Sequence, residues 1–272
     1  MAERLFTDHL NRAVEIHWPP QRIVSLVPSI TETLYDLGLR EEVVGITRFC
    51  IHPNEWFQSK LRVGGTKDFR LEDIRALEPD LIIANKEEND KALLEELATD
   101  YPVWVSEVSN LAKAFNLLTD LGELIGKISE AQKLRDQTMR AWKSSPLTAP
   151  AQRAVYLIWK DPYMCAGSGT YIDSVLTHFG YQNAVKASRY PILSIDQIKA
   201  LEAEVLFLSS EPFPFKQKHI DELKMHLETE RISLVDGEAF SWYGSRMLKS
   251  ASILKPLVAT LYIEQKRIEK LT

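Results

Sequence analysis

Three stretches of the sequence bring together side chains that could do chemistry. In the run CIHP, Cys50 and His52 offer a soft sulfur and an imidazole, and Glu87 or Glu88, at the end of another strand, offers a carboxylate. Those types suit a metal ion, with Cys50, His52 and Glu88 as the ligand candidates. A Cys-x-His pair fits equally well as a buried cysteine beside a loop histidine that faces a bound molecule. In FSWYGSR, Trp242, Tyr243 and Arg246 set two rings and a guanidinium in one loop before a helix. Such a set stacks on a flat macrocycle and pairs with an anionic substituent, or else packs the loop on its own lobe. Trp159 and Tyr163 flank Pro162 at the end of a strand, where a side chain faces either a ligand or the core.

Lys67, Lys86, Glu87, Glu88 and Asn89 read as a polar wall or as a solvated turn. Pro28 and Ser29 stand before a helix start whose free amides suit an anion, although capping alone accounts for Ser29 and Thr31. No motif sets a nucleophile, a base and an orienting acid together, and no phosphate-binding glycine loop occurs, so catalysis and a catalytic cofactor are not expected. An enzyme acting on a metal or chelate through Cys50, His52 and Glu88 is the competing class.

Composition narrows the partners. The chain has 272 residues, 45% hydrophobic and 26% charged, with a net charge of −5. That is an ordinary globular balance with no basic stripe for a phosphate backbone, which argues against nucleic acid. Nor does any apolar run reach the roughly 18 residues of a membrane span. Cys50 and Cys165 form neither a disulfide framework nor a CxxC pair, and the N-terminal stretch lacks the apolar core of a secretory signal. The chain as written therefore reads as cytoplasmic, or as periplasmic or cell-surface if an upstream leader has been removed.

The elements that must position these residues alternate. A weakly alternating stretch over residues 5 to 16 suggests an edge hairpin, and RIVSLVPS reads as a buried strand followed by a helix capped by Ser29 or Thr31. Further strands are expected at Glu42 to Thr47, Asp80 to Ala84, Pro102 to Val105 and Ala154 to Trp159, with short helices between. Such alternation predicts mostly parallel sheets covered on both faces. From Leu111 to Ser145 the apolar residues recur at three- and four-residue steps with no proline, predicting one amphipathic helix about 50 Å long. A rod of that length reads as a strut between two lobes, ending at a proline-bounded loop from Ser144 to Pro150; Gly122 and Gly126 argue instead for an ordinary packing helix.

The second half repeats the first. LEDIRALEPDLII from Leu71 aligns with IDQIKALEAEVLF from Ile195, an offset of 124 (195 − 71), and ETLYDLG from Glu32 parallels DSVLTHFG from Asp173. The duplication predicts two similar α/β lobes, residues 1–110 and 146–272, joined by a backbone helix over 111–145. Between them lies an expected cleft, lined by loops at the carboxyl ends of the strands: Pro28 to Thr31, Arg48 to Trp56, Asn85 to Asn89, Lys160 to Thr170 and Phe240 to Arg246.

On RIVSLVPSITETLYDLGL, VVGITRF, VGGTKDFRLEDIRALEPDLIIA and FSWYGSRMLKSASIL, the chain resembles the helical-backbone (class III) substrate-binding proteins of metal-chelate ABC importers. The likeness runs from about Thr7 to the final helix. It is greatest to the cobalamin-binding members, with haem and ferric-siderophore carriers as relatives. The resemblance implies two lobes on one rigid helix, non-catalytic binding of a corrinoid, alternatively a ferric siderophore or haem, and a permease partner. It further implies ligand contacts from Pro28, Arg48, Phe49, His52, Trp159, Tyr163, Trp242, Tyr243 and Arg246, and permease docking through Glu72 and Asp196. Where cobalamin binders place tryptophans this chain has Thr66 and Asn85, which implies a more polar cleft. A cytoplasmic relative that stores, chaperones or senses a cofactor is the alternative within the same fold.

Overall fold

The short apolar runs fold as strands of two parallel sheets, because a strand covered by helices on both faces needs an unbroken apolar sequence. The structure, a computed structural model, describes residues 2–143, 152–229 and 231–255. The chain forms two compact units, each discontinuous in sequence. Of the described residues, the first holds those within Met1–Val108, Lys113–Thr138 and Tyr243–Arg246; the second holds those within Ser109–Ala112, Met139–Trp242 and Met247–Lys255.

In the first unit, β1 (Ala2–Thr7) and β2 (Ala13–Trp18) make a separate antiparallel hairpin, with Leu5 outward and Ile16 buried. There follow β3 (Ile23–Ser25), α1 (Pro28–Asp36), β4 (Val43–Ile46), α2 (Asn54–Ser59), β5 (Leu61–Arg62), α3 (Leu71–Ala76), β6 (Leu81–Asn85), α4 (Lys91–Leu97) and β7 (Val103–Ser106). Their strands form one sheet in the order β5-β4-β3-β6-β7, every pair parallel. All five residues of β6, an interior strand of this sheet, are buried. Val24, Ile74, Ile82, Leu97 and Val103 belong to the core on one of its faces.

After α5 (Leu111–Leu124) and α6 (Ile128–Lys143), the second unit contains β8 (Gln152–Trp159), β9 (Met164–Cys165), α7 (Tyr171–His178), β10 (Tyr181–Asn183), α8 (Ile195–Ala200), β11 (Val205–Ser209), α9 (Gln217–Lys224), β12 (Arg231–Val235) and α10 (Gly237–Ser241). Its sheet runs β10-β8-β11-β12, parallel throughout, with β9 antiparallel against β8. A further helix occupies residues 246–255.

The duplication is structural as well as sequential. The order β4-β3-β6-β7 is repeated as β10-β8-β11-β12. Offsets of 124 relate the starts of α3 and α8 (195 − 71) and of β6 and β11 (205 − 81). Even an unusual backbone conformation recurs at that spacing, since Glu78 and Glu202 have φ of 43° and 47°. Each lets the chain turn sharply from a short helix into the following strand.

Three local expectations need correcting. The stretch from Leu111 to Ser145 is not one rod but two helices that break at Gly126, whose φ is 73°. Lys127 N–H bonds to Gly122 O (2.7 Å) and Gly126 N–H to Glu123 O (3.4 Å), the paired bonds by which a left-handed glycine terminates a helix. The loop from Ser144 to Pro150 lies outside the described residues. Secondly, α1 starts at Pro28 with Val27 as its N-cap and no side-chain cap, so Ser29 and Thr31 lie inside the helix. Proline's fixed φ and missing N–H suit the first helical position. Thirdly, RFCIHPNEW is not all loop: α2 begins at Asn54 and buries Trp56 in the core.

Candidate ligand-binding site

In a parallel sheet, side chains reach a ligand from the loops after the carboxyl ends of the strands. In the first unit these loops follow β3, β4 and β6. Pro28 is buried in the first turn of α1. After β4, Phe49 is 49% exposed, with the Arg48 guanidinium 5.1 Å from its ring centre and 3.0 Å from Asp68 Oδ2. His52 is half-buried beside Pro53. Cys50 turns the other way: it is fully buried, with Sγ 3.1 Å from both Thr31 Oγ1 and Thr47 Oγ1. Burial pushes its thiol up to about 11, so at neutral pH it is a packed thiol rather than a thiolate. Among the described residues, no group of three or more His, Cys, Asp or Glu side chains could hold a metal ion.

The turn after β6 is built by two buried asparagines. Asn85 Oδ1 accepts from Glu87 N–H (2.8 Å) and Glu88 N–H (3.2 Å), while Asn89 Oδ1 accepts from Asn85 N–H (2.7 Å). Asn89 Nδ2 donates to Leu26 O and Thr66 O, and Lys67 Nζ donates to Asn89 O. Asn85 therefore shapes the turn from inside. Lys86 pairs with Glu107, whose carboxyl is held down to about 2 by its bonds to Lys86 and Lys113.

Onto this unit the segment Tyr243–Arg246 folds. Tyr243 is 5% exposed, and its hydroxyl donates to Glu88 Oε1 (3.0 Å). Burial, reinforced by Glu88, raises the phenol well above its ordinary range, so it remains a donor. Arg246 makes a two-pronged ion pair with Glu32, Nε to Oε2 at 2.7 Å and Nη2 to Oε1 at 2.9 Å. Between them Gly244, with φ of 87°, passes so near α1 that a Cβ there would lie 2.2 Å from Thr33 Oγ1.

In the second unit, Trp159 ends β8 and is 40% exposed, meeting Phe213 edge-on at 5.7 Å. Tyr163 is half-buried; its hydroxyl lies 3.4 Å from Glu222 Oε1, and Lys160 Nζ sits 5.5 Å from its ring centre. Trp242 is 8% exposed, and its indole N–H donates to Glu211 Oε1 (2.8 Å), which also accepts from Ser241 Oγ (2.9 Å). Burial raises the Glu211 carboxyl above its ordinary range, against those two bonds.

Two acids occupy matching places in the units. Glu72 lies in the first turn of α3, 2.9 Å from Arg75 Nη1, and Asp196 lies exposed in the first turn of α8 behind the Ser194 and Gln197 capping box. Sequence reading passed over Glu32, Glu211, Phe213 and His219. The run EPFPF from Glu211, just after an apolar strand, was the available signal for Glu211 and Phe213; His219 and Glu32 had none, Glu32 because its partner is far along the chain.

A family profile described as periplasmic binding protein matches residues 23–233. A vitamin B12-binding protein of Vibrio parahaemolyticus is 30% identical over 211 residues, which is 75% of this chain and 75% of that protein. Among solved structures, the periplasmic vitamin B12 binding protein of Vibrio cholerae has a TM-score of 0.76 at 20% identity, over 89% of this chain and 98% of its own. A periplasmic heme-binding protein of Roseiflexus sp. RS-1 has a TM-score of 0.76 at 21% identity, over 88% and 97%. At such identities the two structures speak for a shared fold.

Proposed function

The chain belongs to the periplasmic binding protein family, and from that premise we propose that it binds a corrinoid, without catalysis, as the substrate-binding component of an ABC importer. The observation that carries the reading is the Trp159 and Phe213 edge at the carboxyl ends of β8 and β11, where a large ring stands 40% exposed. An aromatic edge held open at a strand end favours a broad, flat, apolar ligand. The identity to a vitamin B12-binding protein supports a corrinoid in that role. Cys50, buried and protonated, supports a chelate whose metal brings its own ligands.

Delivery to a permease is part of the proposal. Glu72 and Asp196, one acid in each unit at equivalent helix starts, are the groups assigned to meet it. That role calls for a periplasmic or cell-surface position, on the outer side of the membrane that holds the permease. No helix among the described residues is long and apolar enough to cross a membrane. Visible-absorbance titration of the purified protein with cyanocobalamin, haemin and a ferric siderophore tests the reading. Saturable binding of cyanocobalamin supports it; saturation by haemin or the siderophore alone replaces it with the second chelate class.

A further inference from the structure

The second unit holds a cavity of about 430 Å³, lined by Lys160, Asp161, Phe213, Lys218, His219 and Glu222. Its most constrained polar group is His219, which is 7% exposed. Nδ1 of that ring accepts from Lys216 N–H (2.9 Å), which leaves the proton on Nε2. Phe213 and Phe215 pack against the imidazole at 5.3 and 5.5 Å, the second edge-on at 88°, so the ring cannot swing freely. Burial, with Lys218 and Lys160 nearby, pushes the imidazole below its ordinary range. At neutral pH it is an uncharged donor with a fixed direction.

The remaining charges balance. Lys160 Nζ is held by Glu222 (2.9 Å) and Asp161 (3.4 Å), and Lys218 is the second cation on the wall. Two ammonium groups thus face two carboxylates around a neutral imidazole. A ligand carboxylate entering here meets as much negative as positive charge and loses its hydration for little return. A primary amide suits the wall better, because its carbonyl accepts from an N–H while its NH₂ donates to a carboxylate.

We propose that His219, with Lys218 and Glu222, forms a subsite for a primary carboxamide side chain of the bound chelate, next to the Trp159 and Phe213 edge. The subsite selects a macrocycle fringed by amides over one fringed by carboxylates. It rests on the chelate-binding reading above and specifies which chelates that reading admits.

The test compares cyanocobalamin with the same corrinoid after its side-chain amides have been hydrolysed to carboxylates, titrated against the intact protein. The wild type is expected to bind the amide form about tenfold tighter, and His219→Phe, which keeps a ring between Phe213 and Phe215, to lose about five- to tenfold for the amide form alone. Lys218→Met, away from the Phe213 and Phe215 packing, is expected to lose about two- to threefold, which guards against a folding defect in the first variant. Glu222→Gln is expected to improve the carboxylate form relative to the amide form. Equal affinity of the wild type for both forms, or unchanged discrimination in His219→Phe, overturns the subsite and leaves the corrinoid reading standing. Failure of the wild type to bind either form overturns both.

Discussion

Arg246 and Glu32, 214 residues apart, close a two-pronged ion pair whose side chains are only 11% and 4% exposed. The guanidinium that the resemblance assigned to a ligand is thus occupied with α1, and it holds the segment Tyr243–Arg246 in place. Removing one partner strands a buried charge. Arg246→Ala is therefore expected to lower unfolding stability by about 3 kcal/mol, read from urea denaturation. An arginine that served only a ligand would leave the denaturation midpoint where it is.

The same segment depends on Gly244. With φ of 87° and Thr33 Oγ1 2.2 Å from the place of a Cβ, Gly244→Ala meets both backbone strain and a clash. The expected loss is about 2 kcal/mol, measured by thermal unfolding. Substituting Thr33 by Ser, which keeps the hydroxyl, is not expected to rescue it.

Trp159 is the accessible ring of the proposed site. Trp159→Ala is expected to weaken corrinoid binding about tenfold while moving the melting temperature little, since the residue is 40% exposed. Unchanged affinity would remove the observation on which the proposed function rests.

Acid stability should report Glu107. Its carboxyl is held down to about 2 in the folded chain by the bonds to Lys86 and Lys113, below its unfolded value of about 4.3. Its contribution is therefore present above about pH 4.3 and disappears as pH falls towards 2. Glu107→Gln is expected to flatten the decline of melting temperature over that window; an identical decline in the variant would contradict the pairing.

Neither cysteine should react in the native fold. Cys50 and Cys165 are buried, with thiols pushed up to about 11 and about 12. A chromogenic disulfide reagent at pH 8 is expected to label neither within minutes and both in denaturant. Rapid native labelling of Cys50 would revive it as a metal ligand.

Much of the fold was legible because its signals are local. Unbroken apolar runs such as LIIA and VLFL are what a doubly covered strand requires, and the offset of 124 carried the second unit's layout, down to the φ of Glu78 and Glu202. The α5 and α6 boundary was misread for a physical reason too. The apolar periodicity continues across Gly126, and only the backbone conformation there ends the helix.

The candidate site was legible by residue type but not by role. Periodicity marked which loops follow strands, so Trp159, Tyr163, Tyr243 and Arg246 stood out from the sequence alone. Whether a ring is open or packed depends on what the rest of the chain lays over it: Trp159 is 40% exposed, Trp242 8% and Tyr243 5%. Sequence by itself determined the alternation, the duplication and the family resemblance, each written in neighbouring residues or in a repeated string. Tertiary structure alone decided that Arg246 meets Glu32 and that Tyr243 meets Glu88 across 155 residues. Such pairings are settled by distance, burial and charge in three dimensions, and no local pattern encodes them.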